Sequence, residues 1–141
     1  MTTIARAALI TAAAATATFA VDRSLKVAVE RGLDEGERAD GPFGTRIVRR
    51  TNDRPYGMAM TAAGGALAVG VAGAGSAFRR PAMLQVGAGM VAGAMLGNLV
   101  DRVTGDRAVT DYLPTPLGVL NAADVLIGAG IVIAGLGVAL R

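Results

Sequence analysis

Two runs without a single charged residue constrain this chain more than anything else in it. Gly57 to Phe78 is 22 residues long and Pro81 to Val100 is 20, with only Arg79-Arg80 between them. A helix rises about 1.5 Å per residue, so roughly 20 apolar residues match a hydrocarbon core about 30 Å thick. Two such segments back to back read as a membrane helical hairpin. A third run, residues 119–140, is apolar apart from Asn121 and Asp124, and a fourth, residues 4–21, is broken only by Arg6. The Ala/Thr-rich first run reads as a retained spanning helix, with a secretory signal peptide ending before Ala20 as the alternative. Composition agrees, since 52% of the residues are hydrophobic and 18% charged. The expectation is one integral membrane domain, an all-α bundle of four transmembrane helices near residues 4–21, 57–78, 81–100 and 119–140.

Residues 22–56 carry eight Lys/Arg and seven Asp/Glu and read as an aqueous loop, with a shorter outer loop at 101–118. Within the first loop, the β-branched stretch Thr45-Arg46-Ile47-Val48-Arg49-Arg50-Thr51 suggests a short surface hairpin. Small residues recur every four positions at Gly89, Gly93 and Gly97 and at Ala66, Gly70 and Ala74, which predicts close helix packing. Charge counting does not fix the orientation. The Arg79-Arg80 turn, Arg6 and Arg141 favour one side, and the eight basic residues of the first loop pull the other way.

The residue types that are missing narrow the chemistry. With no Cys and no His, thiolate nucleophiles, Ser-His-Asp triads and His or Cys metal sites are excluded. A net charge of +3 with 4% aromatics and no dense basic block argues against nucleic acid. Ser24 and Lys26 are two residues apart and would point to different faces of a helix, so they make no dyad. Gly87-Ala88-Gly89-Met90-Val91-Ala92-Gly93 echoes a dinucleotide-binding turn but has no room for a preceding strand after Pro81.

Carboxylate chemistry remains. A carboxylate at mid-membrane costs at least about 2.5–3.5 kcal/mol on insertion scales, so Asp124 calls for a reason. Asn121 lies three residues earlier on the same helical face, which places an amide beside the carboxyl one to two turns inside the last helix. Asn98, Asp101 and Arg102 stand at i, i+3 and i+4 on the third helix and read as one face. An interhelical polar contact and an Asp-Arg pair at the membrane interface are the plainer readings of these groups. Asp111 sits before Pro114 and Pro116, which hold the loop compact, so it can fold back toward Asp124. Two carboxyls held close cannot both ionise cheaply. One keeps a proton while the other acts as base.

The blocks Gly97-Asn98-Leu99-Val100-Asp101-Arg102, Val109-Thr110-Asp111-Tyr112 and Asn121-Ala122-Ala123-Asp124, in this order at helix edges, resemble the bacterial lipoprotein signal peptidases (signal peptidase II). Asp22-Arg23-Ser24-Leu25-Lys26 is similar to that family's Asp-Gln-x-x-Lys motif, with Arg23 in place of Gln, and Asn52 to its loop Asn. The resemblance implies a four-helix aspartyl endopeptidase of the bacterial cytoplasmic membrane, with both termini cytoplasmic and a small β-cradle formed by the first loop on the outer face. Asp111 and Asp124 match the catalytic pair, which activates a water to cleave the signal peptide of a diacylglyceryl-modified prolipoprotein. Asn98, Asp101, Arg102, Asn121, Asp22, Lys26 and Asn52 would orient the dyad and the substrate. Membrane lipids and lipidated precursors are the implied partners of a monomer, and neither metal nor organic cofactor is implied.

The chain departs from the family pattern at Arg54-Pro55-Tyr56-Gly57, in Leu120 where Phe is usual, and in the 12 residues between Asp111 and Asp124. These departures touch substrate gripping more than chemistry. They keep open a non-catalytic precursor-binding paralogue, and a lone intramembrane Asp keeps open a small ion-coupled transporter.

Overall fold

The computed structural model describes residues 2–41, 44–53, 57–77, 82–104, 108–116 and 118–140. Arg79-Arg80, Arg54-Pro55-Tyr56, the ends of the expected helices at Phe78 and Pro81, and Arg141 lie outside the described residues. Four helices run α1 (Thr3–Gly32), α2 (Gly57–Ala77), α3 (Ala82–Thr104) and α4 (Ala122–Ala139). Each is long and apolar enough to cross a membrane. Six three-residue strands accompany them: β1 (Arg38–Asp40), β2 (Arg46–Val48), β3 (Arg50–Asn52), β4 (Val109–Asp111), β5 (Leu113–Thr115) and β6 (Gly118–Leu120).

Helix α3 is the centre of the bundle. It touches α1, α2 and α4, and half of its most apolar stretch is buried. Its glycines explain how. A Cβ on Gly89 would meet the Thr11 carbonyl, one on Gly93 the Ala15 carbonyl, and one on Gly97 the Asp22 carboxylate, so the expected small-residue stripe lies against α1. On another side, Gly87 faces Gly130 and Ala134 of α4. Backbones approach this closely because dispersion must replace the hydrophobic drive that lipid does not supply. Thr11 also donates to Oε1 of buried Gln85 at 2.9 Å, joining α1 to α3 through a polar contact away from the loops.

The second small-residue stripe behaves differently. Ala66, Gly70 and Ala74 are exposed, and α2 instead buries Thr61, Ala68, Ala72 and Gly75. Helix α2 packs chiefly on α3, with Gly64 over Met95 and Gly75 over Leu84, so most of its circumference is left for lipid.

Three boundaries differ from the sequence expectation, each for a local reason. Helix α1 runs on through the charged segment to Gly32, 11 residues past the expected end, because Asp22, Lys26 and Val29 continue the buried face begun at Thr18. The loop therefore starts at Leu33, whose N–H closes on the Val29 carbonyl at 2.9 Å. Helix α3 continues to Thr104, which puts Asp101 and Arg102 inside it. Helix α4 begins at Ala122, since 118–120 pairs as β6 with β5 in a hairpin turned by Gly118 at φ 126°. Asp124 thus lies in the first turn of α4 rather than one to two turns in.

The expected hairpin at 45–51 does not form, although both of its arms are strands. Only Arg49 separates β2 from β3, too little chain for a turn between them. Instead β2 pairs antiparallel with β1, and β3 with β4, in the register Arg50↔Asp111, Thr51↔Thr110 and Asn52↔Val109. The small β region thus draws on both the α1–α2 and the α3–α4 connections. Val48 N–H to the Tyr112 carbonyl, 3.1 Å, is a further link between them.

Gly93→Ala is expected to destabilise the protein by about 1–3 kcal/mol through overpacking against the α1 backbone. Gly70→Ala, where nothing lies within 4 Å of the new methyl, should stay within about 0.5 kcal/mol. Unfolding of both variants in detergent checks the contrast.

Candidate active site

The C-terminal half of α1 carries charges in the segment that hydropathy assigns to water, and it buries two of them, Asp22 and Lys26. Lys26 Nζ stands 2.7 Å from Asp22 Oδ2, 2.7 Å from Asp101 Oδ2 and 2.7 Å from Asn98 Oδ1. Asp22 and Lys26 are four apart on α1 and fully inaccessible, which is the spacing that stacks side chains on one helical face. Arg23 closes the cluster from its partly exposed side, with Nη1 2.7 Å from Asp101 Oδ1. Two cations and two anions then balance, as a cluster removed from water requires.

From Asn98 the network passes to α4. Asn121 Nδ2 donates to Asn98 Oδ1 at 3.3 Å and to Asp111 Oδ1 at 2.7 Å. Asn52, opposite Val109 in the β3–β4 register, donates through Nδ2 to the other Asp111 oxygen at 2.9 Å. Asp111 is therefore gripped by two amides, one from β3 and one from the N-cap of α4, and is 4% exposed. Burial pushes its carboxyl above the ordinary value; the Asn52 and Asn121 hydrogen bonds oppose this, and the nearby Asp124 charge reinforces it.

Asn121 also forms the start of α4. Its Oδ1 accepts from the Asp124 N–H at 3.0 Å, and Asp124 Oδ2 accepts from the Asn121 N–H at 3.2 Å, a reciprocal capping box. One buried asparagine thus holds both candidate carboxyls, Asp111 by its amide and Asp124 by its backbone. Asp124 is partly exposed and lies in the first turn of α4. Asp22 fixes the same helix end from α1, accepting from the Ala123 N–H at 3.0 Å.

Of the residues singled out by sequence, Asp22, Lys26, Asn52, Asn98, Asp101, Asp111, Asn121 and Asp124 fall into one connected network. Arg102, the remaining one, is buried on the same helix as Asp101. Asp101 turns to Arg23 and Lys26, whereas the Arg102 guanidinium lies at the start of α2, where it would collide with a Cβ on Gly57. Arg23 and Tyr112 are site components that sequence reasoning assigned no role. Tyr112 accepts through Oη from the Ala122 N–H at 3.1 Å, and its burial pushes the phenol up to about 12. The signal for Tyr112 was its place directly after Asp111; for Arg23 it was the motif position where the family has Gln. Among the described residues, no group of three or more His, Cys, Asp or Glu is arranged to hold a metal ion.

The fold and site define a four-helix membrane protein with a buried carboxyl at the edge of its bundle and a second at the adjoining helix start. Residues 14–140 match the family model of signal peptidase (SPase) II, Peptidase_A8, and the chain belongs to that family of aspartic peptidases. Two solved structures, each described as a bacterial membrane enzyme determined by the in meso method, share the architecture. The first, at 2.3 Å resolution, aligns with a TM-score of 0.73 and 16% identity over 95% of this chain and 87% of its own. The second, at 1.9 Å, gives 0.72 and 18% over 95% and 92%. No curated protein matches the chain.

Lys26→Met is expected to cost about 3–5 kcal/mol, because it strands the buried Asp22 and Asp101 charges. Chemical unfolding in detergent reads it. Asp111 gives a pH prediction with a definite sign. Its folded value is raised, so its stabilising contribution is complete below the ordinary value of 3.8 and is lost as pH rises through the folded one. The difference in thermal midpoint between Asp111→Asn and the unmutated protein should therefore move in the variant's favour from about pH 4 to pH 8. A difference that stays constant with pH would contradict the burial argument.

Proposed function

We propose that the protein is a membrane aspartyl endopeptidase that cleaves the signal peptide from diacylglyceryl-modified prolipoproteins, with Asp111 and Asp124 as the catalytic pair. The observation that carries this reading is Asn121, which bonds to Asp111 and Asp124 at once from a position 1% exposed. Asp22, Lys26, Asn52, Asn98, Asp101 and Asn121 hold the pair in place. Arg102 supports it from the α2 side.

The chemistry needs nothing beyond these groups and water. Asp111, whose carboxyl is raised, holds the proton at the start, and Asp124 at the helix terminus is the base. Asp124 takes a proton from water as its oxygen adds to the scissile carbonyl, whose oxygen receives a hydrogen bond from protonated Asp111. Collapse of the tetrahedral intermediate breaks the C–N bond, and the leaving nitrogen takes up a proton from the pair.

An apolar groove of about 460 Å³ adjoins the site and suits a lipidated peptide. Leu25, Val29, Leu33, Ile47, Tyr112 and Ala122 are among the residues that line it, so it runs from the outer half of α1 past β2 to the start of α4. Substrate emerging from lipid would reach the carboxyls without crossing the ion cluster. With four spans both termini share one side, which we assign to the cytoplasm, and the site faces outward, where exported precursors are presented.

Purified protein in detergent should shorten a diacylglyceryl-modified prolipoprotein on a gel at the lipid-modified Cys. Asp111→Asn and Asp124→Asn should each lower the rate by roughly three orders of magnitude or more while remaining folded. A fully active Asp124→Asn protein would sink the dyad. Failure of the unmutated, folded protein beside an active control enzyme would favour the precursor-binding paralogue.

A further inference from the structure

The start of α4 is held by more than its own cap. A helix leaves its first N–H groups without intrahelical partners, and here three successive ones are taken by side chains from α1, from the residue after β4 and from the cap itself. Tyr112 Oη takes the N–H of Ala122, Asp22 Oδ1 that of Ala123, and Asn121 Oδ1 that of Asp124. Two of these partners reappear in the network described above. Tyr112 is the third, and it stands next to Asp111 in the chain.

That adjacency gives the phenol a particular position. The backbone of Tyr112 is fixed on both sides, its N–H donating to the Leu120 carbonyl at 2.8 Å and its carbonyl accepting from Val48 at 3.1 Å. Its ring is buried to 4% exposure and packs with Val29, Leu33 and Ala122. A rigid aromatic therefore spans from the end of β4, which bears Asp111, to the first residue of α4, which bears Asp124 two positions later. We propose that Tyr112 is a positioning residue that sets the spacing of the two carboxyls by clamping the strand carrying Asp111 onto the helix carrying Asp124. The inference rests on the peptidase reading for its kinetic consequences and on geometry alone for the clamp.

The charged groups around the phenol are Asp22 from α1, Asp111 beside it and Asp124 from α4, while Lys26 of α1 faces Asp111. With its own titration pushed up to about 12, Tyr112 stays a neutral phenol through the working range. Any change in the pH profile on removing its oxygen then comes from the carboxyls. Two coupled carboxyls titrate in two steps, and the closer they are held the wider the steps separate. Loosening the clamp draws the steps together, so the acid limb of the bell moves up and the alkaline limb moves down.

Tyr112→Phe keeps the ring and deletes only the acceptor. The expected result is a kcat lowered several-fold, a KM within twofold of the unmutated value and a narrower bell in kcat against pH. Hydrogen exchange read by mass spectrometry should show faster exchange in peptides covering residues 121–126 and no change in α2. Tyr112→Leu, which loses ring and oxygen together, should lower kcat further. An unchanged bell and kcat in Tyr112→Phe would overturn the proposal, and so would a rise in KM alone, which would make Tyr112 a substrate contact. If the unmutated protein does not cleave, the peptidase reading fails separately, and the exchange experiment still decides the clamp: no faster exchange at 121–126 would overturn it.

Discussion

The site depends on one buried ammonium. Lys26 reaches three oxygens at the same short distance, on α1 itself and on α3, and each is the partner a point charge with three donors can use. A guanidinium, planar and forked, would not address three oxygens arranged around a single nitrogen. In a chain with thirteen arginines, the only lysine occupies the place where that difference counts. Through Asn98 the same nitrogen orients Asn121, so the chain of contacts from ion cluster to Asp111 begins with it. Burial makes the arrangement all-or-none: fully paired, the charges stiffen the bundle, and with one removed the rest are left in a medium that cannot solvate them.

Much of this was legible in the sequence because membrane helices obey a length rule and polar residues inside them need a reason. The bundle followed from two uncharged runs, and the network followed from Asn and Asp residues at helical spacing. The C-terminal end of α1 was illegible to hydropathy for the converse reason, and only the motif resemblance singled out Asp22 and Lys26 there. Hydropathy scores Asp22, Arg23, Lys26 and Glu30 as water-loving one at a time, whereas the fold neutralises Asp22 and Lys26 against each other and against α3. Glu30, too, is engaged, accepting from Thr110 at 2.7 Å. The strands were hard to read because three residues carry too little alternation to announce a partner, and β3 finds its partner across 59 residues, as Asn52 finds Asp111. Spacing from Asn98 put Arg102 beside Asp101 in the sequence reading, and the fold adds that its guanidinium lies near Gly57 at the start of α2.

The departures from the family pattern acquire physical content. Arg23, standing where the family has Gln, adds a second cation to Asp101 at the partly exposed edge of the cluster, so the balance of charge there differs from that of a Gln-bearing relative. The shortened segment between Asp111 and Asp124 is taken up almost entirely by the β5–β6 hairpin and Tyr112. There is little chain left over to form a mobile flap. The apolar groove is lined instead in large part by the β1–β2 pair and by α1 from Leu25 to Gly32.

The contact between Asp22 and the Ala123 amide joins positions 101 residues apart. A chain threaded into the bilayer from its amino end holds Asp22, Lys26 and Asn98 in place well before the last helix exists, yet the N–H groups that complete the cap arrive only with α4. Until then Asp111 has neither Asn121 nor Asp124 beside it. The joint between α1 and the start of α4 is thus a property of the finished topology alone, and a stalled or truncated insertion product would leave Asp22 without its Ala123 partner and Asp111 without Asn121.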